Sequence, residues 1–556
     1  MNIIIKNKGK ETLDKKHYVA SGGEGHIYVK NGLAYKIYNS PTKMIPEKKI
    51  QELSVLNNQY IIKPEDVILD SNNKSIGYTM KYINDTVSLC QLFTKSFKDR
   101  NFIKPQTIVK LINQMRDTIL FCHKHKILIV DLNELNFLVD KTFINVYFID
   151  VDSYQTPSFP ATALMESIRD RHSKCFSENT DWFSFGIISF QMFTGIHPYK
   201  GKHIKYKDLD SRMLNNISVF NSQVSVPPIV SSFDIIPEDY KKWYKKIFET
   251  QNRLPPPFDG KLMIQDVVVK IKTVTGTNNF DIKLIFESDG DIIDIKYWNR
   301  EIIITNKGFQ VDQGKLIINN EKFALSCVQN KNFILGSIDH RKLKLKDFFT
   351  NKNIPCDINA IEVFSINENV YIKTDDSINK INFTSLPNGN IIVSQEIKCN
   401  ILFNATQIFD EVIIQNLLDA YYISILDFNG HHQIKINELQ NYRIINAKYS
   451  RQVLMVCAEK KGKYDNFIFK FDLNFQEYSF RKIEDVDCNE PEFVVLDNGV
   501  CAYINEKGFL ELSYSDKDNN NIKVIEDTIL EDAKLFCRGN QVLFSKGNKL
   551  YEIKIK

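Results

Sequence analysis

The pattern of apolar and polar positions changes character between residues 255 and 280. Before that point, helix-like segments alternate with short strand-like runs: 108–122 carries apolar residues at helical spacing, and 182–194 is apolar almost all round, which predicts a buried helix. After it, short apolar runs are separated by Asn-Gly and Lys-Gly pairs, which is typical of strands joined by tight turns. The run Pro255–Pro257 ends any helix. We therefore expect a multidomain chain, with a mixed α+β domain followed by an all-β domain.

The β part of the sequence has a repeating layout. Apolar-rich runs open at intervals of roughly 30 to 50 residues, a range that suits four-stranded propeller blades. These openings lie near Ile292, Ala324, Ala360, Ile401, Ile445, Phe493 and Ala533. The pattern predicts a seven-bladed β-propeller over 279–556, in which 279–287 adds a strand to the last blade. A two-sheet sandwich or a pair of smaller β domains is the alternative. The predicted boundaries are 1–262 for the α+β domain and 263–278 for a linker.

Composition and charge exclude several classes of protein. Lys and Arg number 72 against 68 Asp and Glu, and the small excess does not indicate a nucleic-acid-coating protein. The ten cysteines include no C-x-x-C pair, and free thiols of this kind fit a reducing compartment. The sequence contains no run of 18 apolar residues, so no membrane span is predicted, and its first residues lack the layout of a signal peptide. We expect a cytoplasmic protein that binds no nucleic acid.

A glycine-rich segment opens the first domain. Residues 18–36 read YVASGGEGHIYVKNGLAYK, which predicts strand, glycine-rich turn, strand and a third strand ending at Lys36. Glycines let the backbone N–H groups approach phosphate oxygens, and Lys36 would add a positive charge. The glycines concerned are Gly22, Gly23 and Gly25. This segment predicts a phosphate-binding loop, although such hairpins also occur without a ligand.

The next predicted element is a helix over 46–56, with a proline in its first turn. If Lys36 contacts phosphates in a kinase-like site, a glutamate on this helix is needed to hold the lysine through an ion pair. Glu47 is the preferred candidate, and Glu52, which lies nearer the middle of the helix, is the alternative. Either glutamate could also be an ordinary solvated charge.

The most informative segment is 121–155, FCHKHKILIVDLNELNFLVDKTFINVYFIDVDSYQ. An apolar run ends at Asp131, Asn136 follows five residues later, and a second β-rich run ends at Asp150. Phosphoryl transfer needs one carboxylate to accept the hydroxyl proton, and an amide and a carboxylate to hold magnesium. The spacing predicts Asp131 as catalytic base, and Asn136 and Asp150 as metal ligands.

The order of these motifs resembles that of the protein kinase superfamily. The segments VDLNELN and IDVDSYQ are similar to the GDLNxxN and IDxDSxQ motifs of a bacterial branch of eukaryotic-like Ser/Thr kinases. The resemblance covers about 18–257 and implies a bilobal kinase fold, with an N-lobe over 1–83 and a C-lobe over 84–262. It also implies ATP and Mg²⁺ as cofactors and a protein as substrate.

The resemblance carries further residue roles. It implies that Asp181 braces the catalytic loop and that Glu166 pairs with Arg253 to tie the activation segment to the C-lobe. The resemblance also implies that Met80 is the gatekeeper residue and that Tyr82 lies in the adenine-binding hinge. Four more residues are expected to contact ATP: Ala20, Ile27, Ala34 and Leu138.

The sequence departs from the family pattern at several positions. Val130 stands where an arginine usually pairs with an activation-loop phosphate, so activity is not expected to depend on that switch. Asn133 replaces the usual lysine after the base and is kept as a catalytic candidate. Asp152 replaces a glycine and could touch a metal or, preferably, cap a turn.

Three functions compete. The first is an ATP- and Mg²⁺-dependent Ser/Thr protein kinase whose propeller recruits its protein substrate or a partner. The second is a pseudokinase scaffold that binds nucleotide without phosphoryl transfer, which the changes at Val130 and Asn133 favour. The third is a kinase-fold enzyme that acts on a small molecule or transfers AMP. Retention of Lys36, Asp131 and the two metal ligands favours an active enzyme.

Overall fold

A computed structural model describes most of the chain. The described residues are 1–21, 24–226, 230–257, 274, 276–297, 301–311, 314–317, 324–328, 332–386, 390–427, 430–487, 491–505, 507–513 and 522–556. The chain divides into two compact units. One comprises Met1–Lys98 and Ile103–Val269, and the other Asp99–Phe102 and Lys270–Lys556. Most of the predicted linker, 263–278, lies outside the described residues.

The first unit contains two antiparallel sheets. The seven-stranded sheet has the order β2-β1-β6-β7-β5-β4-β3, and the three-stranded sheet has the order β10-β9-β8. The strands are β1 (Asn2–Ile5), β2 (Gly9–Thr12), β3 (Tyr18–Ser21), β4 (Gly25–Lys30), β5 (Leu33–Tyr38), β6 (Val67–Leu69), β7 (Ser75–Lys81), β8 (Thr86–Ser88), β9 (Phe137–Asp140) and β10 (Val146–Phe148). The predicted hairpin around the glycine-rich turn is therefore formed by β3 and β4, and β5 carries Lys36 in the middle of the larger sheet.

Six α-helices are described before the second unit's strands begin. They are α1 (Glu47–Leu53), α2 (Lys95–Arg100), α3 (Pro105–Lys124), α4 (Glu178–Thr194), α5 (Leu209–Leu214) and α6 (Glu238–Glu249). Helix α3 buries one apolar face, as its 3.6-residue periodicity predicts, and packs against α4. Helix α4 is buried almost all round. It begins with a capping box at Ser177 and ends at Gly195, whose positive φ suits a glycine.

The second unit is built from strands. They are β11 (Phe280–Glu287), β12 (Ile292–Tyr297), β13 (Glu301–Thr305), β14 (Gly308–Val311), β15 (Gly314–Ile317), β16 (Ala324–Val328), β17 (Asn332–Asp339), β18 (Lys342–Asp347), β19 (Asn353–Ile354), β20 (Glu362–Ile366), β21 (Asn369–Lys373), β22 (Ser377–Ser385), β23 (Ile391–Asn400), β24 (Thr406–Phe409), β25 (Val412–Leu417), β26 (Ala420–Asp427), β27 (Gly430–Ile436), β28 (Arg443–Ser450), β29 (Val453–Lys460), β30 (Lys463–Phe471), β31 (Tyr478–Val486), β32 (Phe493–Val495), β33 (Cys501–Ile504), β34 (Leu510–Ser513), β35 (Ile522–Ile525), β36 (Lys534–Arg538), β37 (Gln541–Lys546) and β38 (Lys549–Ile555).

These strands form seven four-stranded antiparallel sheets within the described residues. Six sheets use consecutive strands, from β12–β15 through β32–β35. The seventh joins β36, β37 and β38 to β11, which pairs with β38 from Phe280 to Glu287. The all-β prediction is confirmed at the level of strands and small sheets. Apart from an isolated bridge between Asp410 and Lys448, the described strand pairings lie within single sheets, so the seven-bladed propeller stays a prediction. No helix among the described residues is long and apolar enough to cross a membrane.

Candidate functional site

Asp131 and Asn136 are joined in one hydrogen-bonded loop. The side-chain amide of Asn136 donates to the backbone oxygen of Asp131 at 2.9 Å and to its Oδ2 at 3.3 Å. Asp131 Oδ1 accepts the backbone N–H of Met165 at 2.7 Å. Since the amide nitrogen of Asn136 is used in this way, its carbonyl oxygen is the atom suited to bind a cation.

The backbone before Asp131 is held by a buried carboxylate. Asp181, which is 0% exposed, accepts the N–H groups of Ile129 and Val130, each at 2.9 Å. Val130 has φ of 65°, a left-handed conformation that is costly for a β-branched residue. His123 Nε2 lies 2.9 Å from Asp181 Oδ2. His123 was not predicted as a site residue, because nothing in the helical pattern of its segment marks an inward-facing histidine. The structure thus places Asp181 where it can hold a strained loop.

Lys36 reaches from β5 to the segment around Asp150. Its Nζ lies 3.1 Å from Asp150 Oδ1 and 2.7 Å from Asp152 Oδ2, and Glu24 Oε2 is 3.4 Å away. Lys36 is 7% exposed. Although burial acts to lower the pKa of Lys36, the surrounding negative groups raise it, so the lysine is charged. Two predicted site residues separated by 114 positions therefore meet.

Asp152 is the carboxylate most firmly bound to Lys36. It is 2% exposed, and Tyr38 donates its hydroxyl to Oδ2 at 2.5 Å. Burial acts to raise the pKa of Asp152, but Lys36 and the hydrogen bonds from Tyr38 and Tyr78 outweigh it and lower the pKa. Asp152 lies within the short 3-10 turn Val151–Ser153, but its carboxylate does not cap that turn, which was the preferred interpretation. Its carboxylate, however, pairs with a lysine, which the sequence analysis did not predict.

Asp150 occupies the entrance to this turn in a left-handed conformation, with φ of 57°. Burial raises the pKa of Asp150 to about 6, and the negative Asp152 adds to the shift while Lys36 opposes it. Oxygen atoms of Glu24, Asp150 and Asp152 lie within 4.8 Å of one another. Hard oxygen donors of this kind are the ligands that Mg²⁺ prefers. Glu24, Asp150 and Asp152 together could therefore hold a divalent cation, and Asn136 as a second ligand beside Asp150 stays a prediction.

The predicted ion pair between Lys36 and a glutamate of α1 is not formed. Glu47 binds Lys6, with 2.6 Å between Oε2 and Nζ, and accepts the Ser75 hydroxyl at 3.2 Å. Glu52 accepts the backbone N–H of Ser158 at 3.1 Å. Helix α1 turns Lys49 inward instead, with 1% exposure. The expectation was wrong for this conformation because Asp152 already supplies the buried negative partner of Lys36.

The predicted nucleotide-contacting residues lie on the larger sheet and beside it. Ala34 is buried and pairs in register with Met80, and Tyr82 donates its N–H to Gly32 at 3.4 Å. Ile27 and Leu138 are partly buried, and Ala20 is exposed. A Cβ on Gly25 would collide with the carbonyl oxygen of Ile37, so this position requires glycine. Gly22 and Gly23 lie outside the described residues. Their contacts with ATP stay predictions.

Asn133 shapes the loop between Asp131 and Asn136. Its Oδ1 accepts the N–H of Leu135 at 2.8 Å, and it is buried. An asparagine oxygen that accepts a backbone N–H two residues on forms an Asx turn. The hydrogen bond observed for Asn133 stabilises the loop, and its catalytic role stays a prediction.

The structure corrects the predicted Glu166–Arg253 ion pair. Arg253 binds Asp170 instead, with Nε and Nη2 each 2.8 Å from a carboxylate oxygen. Glu166 is exposed and lies near Arg169 and Arg171. The prediction placed the acid by its position after the activation segment. Asp170 lies four residues further on and is buried, as a bidentate partner of a buried arginine must be.

The site combines a buried lysine, a group of three carboxylates around it, and a loop carboxylate bonded to an asparagine, which are side chains that a nucleotide-dependent phosphotransferase uses. Comparison with known proteins agrees with this class. Residues 29–253 match the family described as Protein kinase domain. The N-terminal part of the chain is therefore a protein kinase domain.

Individual relatives are distant serine/threonine-protein kinases. A candidate serine/threonine-protein kinase of Acanthamoeba polyphaga mimivirus is 25% identical over 193 residues, which cover 33% of this chain and 69% of the viral protein. Nek2 of Mus musculus is 21% identical over 208 residues, covering 35% of this chain and 47% of Nek2. Human Nek2 is also 21% identical, over 188 residues that cover 32% of this chain and 42% of Nek2. Each of these three matches covers about a third of this chain.

Proposed function

We propose that this protein is an ATP- and Mg²⁺-dependent protein kinase that transfers the γ-phosphoryl group to a serine or threonine hydroxyl of a protein. The observation that carries the proposal is the ion pair between Lys36 and Asp150, which joins the phosphate-facing strand to the cation-binding segment. The loop that carries Asp131 and Asn136, held by Asp181, adds the proposed catalytic base to this pair. The match to the protein kinase domain family supports the same conclusion.

Each residue has a defined task in this proposal. Asn136 and Asp150 hold Mg²⁺, which would neutralise the charge that develops on the phosphates. Lys36 contributes a positive charge to the phosphates. Asp131 orients the substrate hydroxyl and accepts its proton, and the bond from Met165 keeps the carboxylate in place. Glycine at position 25 lets β4 lie close to β5, the strand that carries Lys36.

A nucleotide-binding scaffold without transferase activity is the second candidate. It is favoured by the three carboxylates that surround Lys36 and by the use of the Asn133 side chain in a turn. AMP transfer or a small-molecule acceptor is the third, and the relatives with serine/threonine-protein kinase names favour a protein acceptor over it.

The experiment measures MgATP binding and phosphoryl transfer on the same preparations. Wild-type protein should bind MgATP and label itself or a generic acceptor such as casein. Asp131→Asn should retain binding within about threefold while transfer falls by a factor on the order of 10² to 10⁴, because the general base is lost. Binding without any transfer by the wild type would establish the scaffold instead.

We also propose that the seven sheets of the second unit form a β-propeller that recruits the protein substrate. The proposal is supported by seven four-stranded sheets and by the pairing of β11 with β38, since a strand supplied from the start of the domain would close such a ring. The substrate-recruiting role rests on analogy with other propellers. Surface substitutions in this unit that lower kcat/KM for a protein acceptor, with the rate of ATP hydrolysis unchanged, would support it.

A further inference from the structure

Helix α1 carries a buried lysine without a partner in the described part of the chain. Lys49 is 1% exposed, and its Nζ makes no hydrogen bond there. The preceding Lys48 is exposed, so the helix turns one of the two neighbouring lysines inward. A buried, unpaired ammonium opposes folding. Its position therefore needs an explanation beyond packing.

The surroundings of Lys49 identify its potential partner. Burial lowers the pKa of Lys49, and Asp152, followed by Asp150, opposes that shift most. Helix α1 also packs against the turn Val151–Ser153, which carries Asp152. One oxygen of Asp152, Oδ1, is buried and makes no hydrogen bond to a described residue, while Oδ2 holds Lys36. An unpaired ammonium and an unpaired carboxylate oxygen thus belong to two elements in contact.

The proposed function places two demands on Lys36. In the structure its ammonium is bound to Asp152 and Asp150, whereas nucleotide phosphates would draw it toward themselves. If Lys36 turned to the phosphates alone, Asp152 would be left as a buried charge with no cation. Leaving one member of a buried pair unpaired is strongly unfavourable. A second cation beside Asp152 would remove that obstacle.

We propose that Lys49 is this second cation, a positioning residue that takes over Asp152 when nucleotide binds and so releases Lys36 to the phosphates. This inference rests on the proposed function of the site. It makes Asp152 an acceptor shared by two lysines, one from β5 and one from α1. The exchange also draws α1 toward the turn Val151–Ser153, so nucleotide binding and helix position are coupled through one carboxylate.

The test measures MgATP affinity by calorimetry and the melting temperature without nucleotide, for the full chain. Lys49→Met should weaken MgATP binding at least tenfold, because Asp152 then retains Lys36. The melting temperature without nucleotide should stay equal or rise, because the variant removes a buried unpaired charge. Lys48→Met, on the exposed side of the same helix, is the matched control and should change neither quantity. Lys49→Gln provides a second variant of similar length.

Asp152→Asn supplies the coupling test. In the Asp152→Asn background, Lys49→Met should alter MgATP affinity by less than about twofold, since the shared acceptor charge is gone. Unchanged affinity in Lys49→Met, a lowered melting temperature with unchanged affinity, or additive effects in the double variant would each overturn the proposal. A wild type that binds MgATP and transfers no phosphoryl group would contradict the kinase function alone. A wild type that does not bind MgATP would overturn both.

Discussion

Arg253 and Asp170 form a buried bidentate pair, in which two guanidinium nitrogens each lie 2.8 Å from a carboxylate oxygen. The guanidinium also lies over the Phe183 ring, 4.3 Å from its centroid, and donates to the carbonyl oxygen of Ile247. These contacts link Arg253, which follows α6, to Phe183 in α4 and to Asp170 in the segment before α4. The pair therefore ties together elements of the first unit that are far apart in sequence.

Removing Arg253 should destabilise the first unit. In Arg253→Met the carboxylate of Asp170 is left buried without its cation, and the expected loss is about 3–5 kcal/mol of unfolding free energy. Urea unfolding of the full chain measures it. Glu166→Gln, at the exposed acid first expected to pair with Arg253, should stay within about 0.5 kcal/mol. A larger effect of Glu166→Gln than of Arg253→Met would contradict the assigned pairing.

The Arg253–Asp170 pair should make the stability of the protein fall as the pH becomes acidic. Burial acts to raise the pKa of Asp170, but Arg253 and the backbone N–H of His172 outweigh it and lower the pKa. A carboxyl whose pKa is lowered on folding stabilises the protein above its unfolded pKa of about 3.9 and loses that contribution as the pH falls below it. Asp170→Asn should therefore flatten the decline in melting temperature between about pH 5 and pH 3. An unchanged slope would show that Asp170 does not contribute.

Asp181 should be needed for the loop of Asp131. In Asp181→Asn the new NH₂ group faces one of the N–H groups of Ile129 and Val130, so a donor meets a donor. We expect a loss of about 1–3 kcal/mol in stability and a fall of at least tenfold in kcat, because the left-handed Val130 loses its support. Glu178→Gln, exposed in the first turn of the same helix, is the control for α4. Normal kcat in Asp181→Asn would contradict this account of the loop.

The strand β11 should be required by the last sheet of the second unit. Phe280 is 0% exposed and lies in a core that includes Phe544 and Tyr551, whereas Leu284 on the same strand is 40% exposed. Phe280→Ala should lower the unfolding free energy by about 3–5 kcal/mol, and Leu284→Ala should change it little. Chemical denaturation followed by far-ultraviolet circular dichroism distinguishes the two. Equal effects would mean that β11 is peripheral to that core.

The local sequence pattern was sufficient to predict the elements with a strong hydrophobic pattern and the motifs with fixed spacing. Helix α3 follows from apolar residues at helical spacing and α4 from a segment that is apolar almost all round. Asp131 and Asn136 meet because only four residues of loop separate them. The strand-like runs after residue 280 correspond to the small sheets because their turns carry clear sequence signals.

Pairings over long sequence distances could not be predicted in the same way. The sequence offers several acidic residues as possible partners for each basic residue. Glu47 was predicted to pair with Lys36, and Glu166 with Arg253, because the short segments around them resemble family motifs. The structure selects Asp152 and Asp170 because these two are buried, and burial depends on the whole fold. Lys49 and His123 were missed for the same reason, since an inward-facing polar residue looks like a surface residue in sequence.

The transfer of label from ATP tests the central claim most directly. Wild-type protein, Asp131→Asn and Asp150→Asn are each incubated with Mg²⁺ and either γ-labelled or α-labelled ATP, and phosphorylated serine and threonine are identified by acid hydrolysis. A protein kinase predicts label from γ-labelled ATP on serine or threonine in the wild type, and a loss of about 10² or more in both variants. No label from γ-labelled ATP, or label from α-labelled ATP alone, would contradict the account.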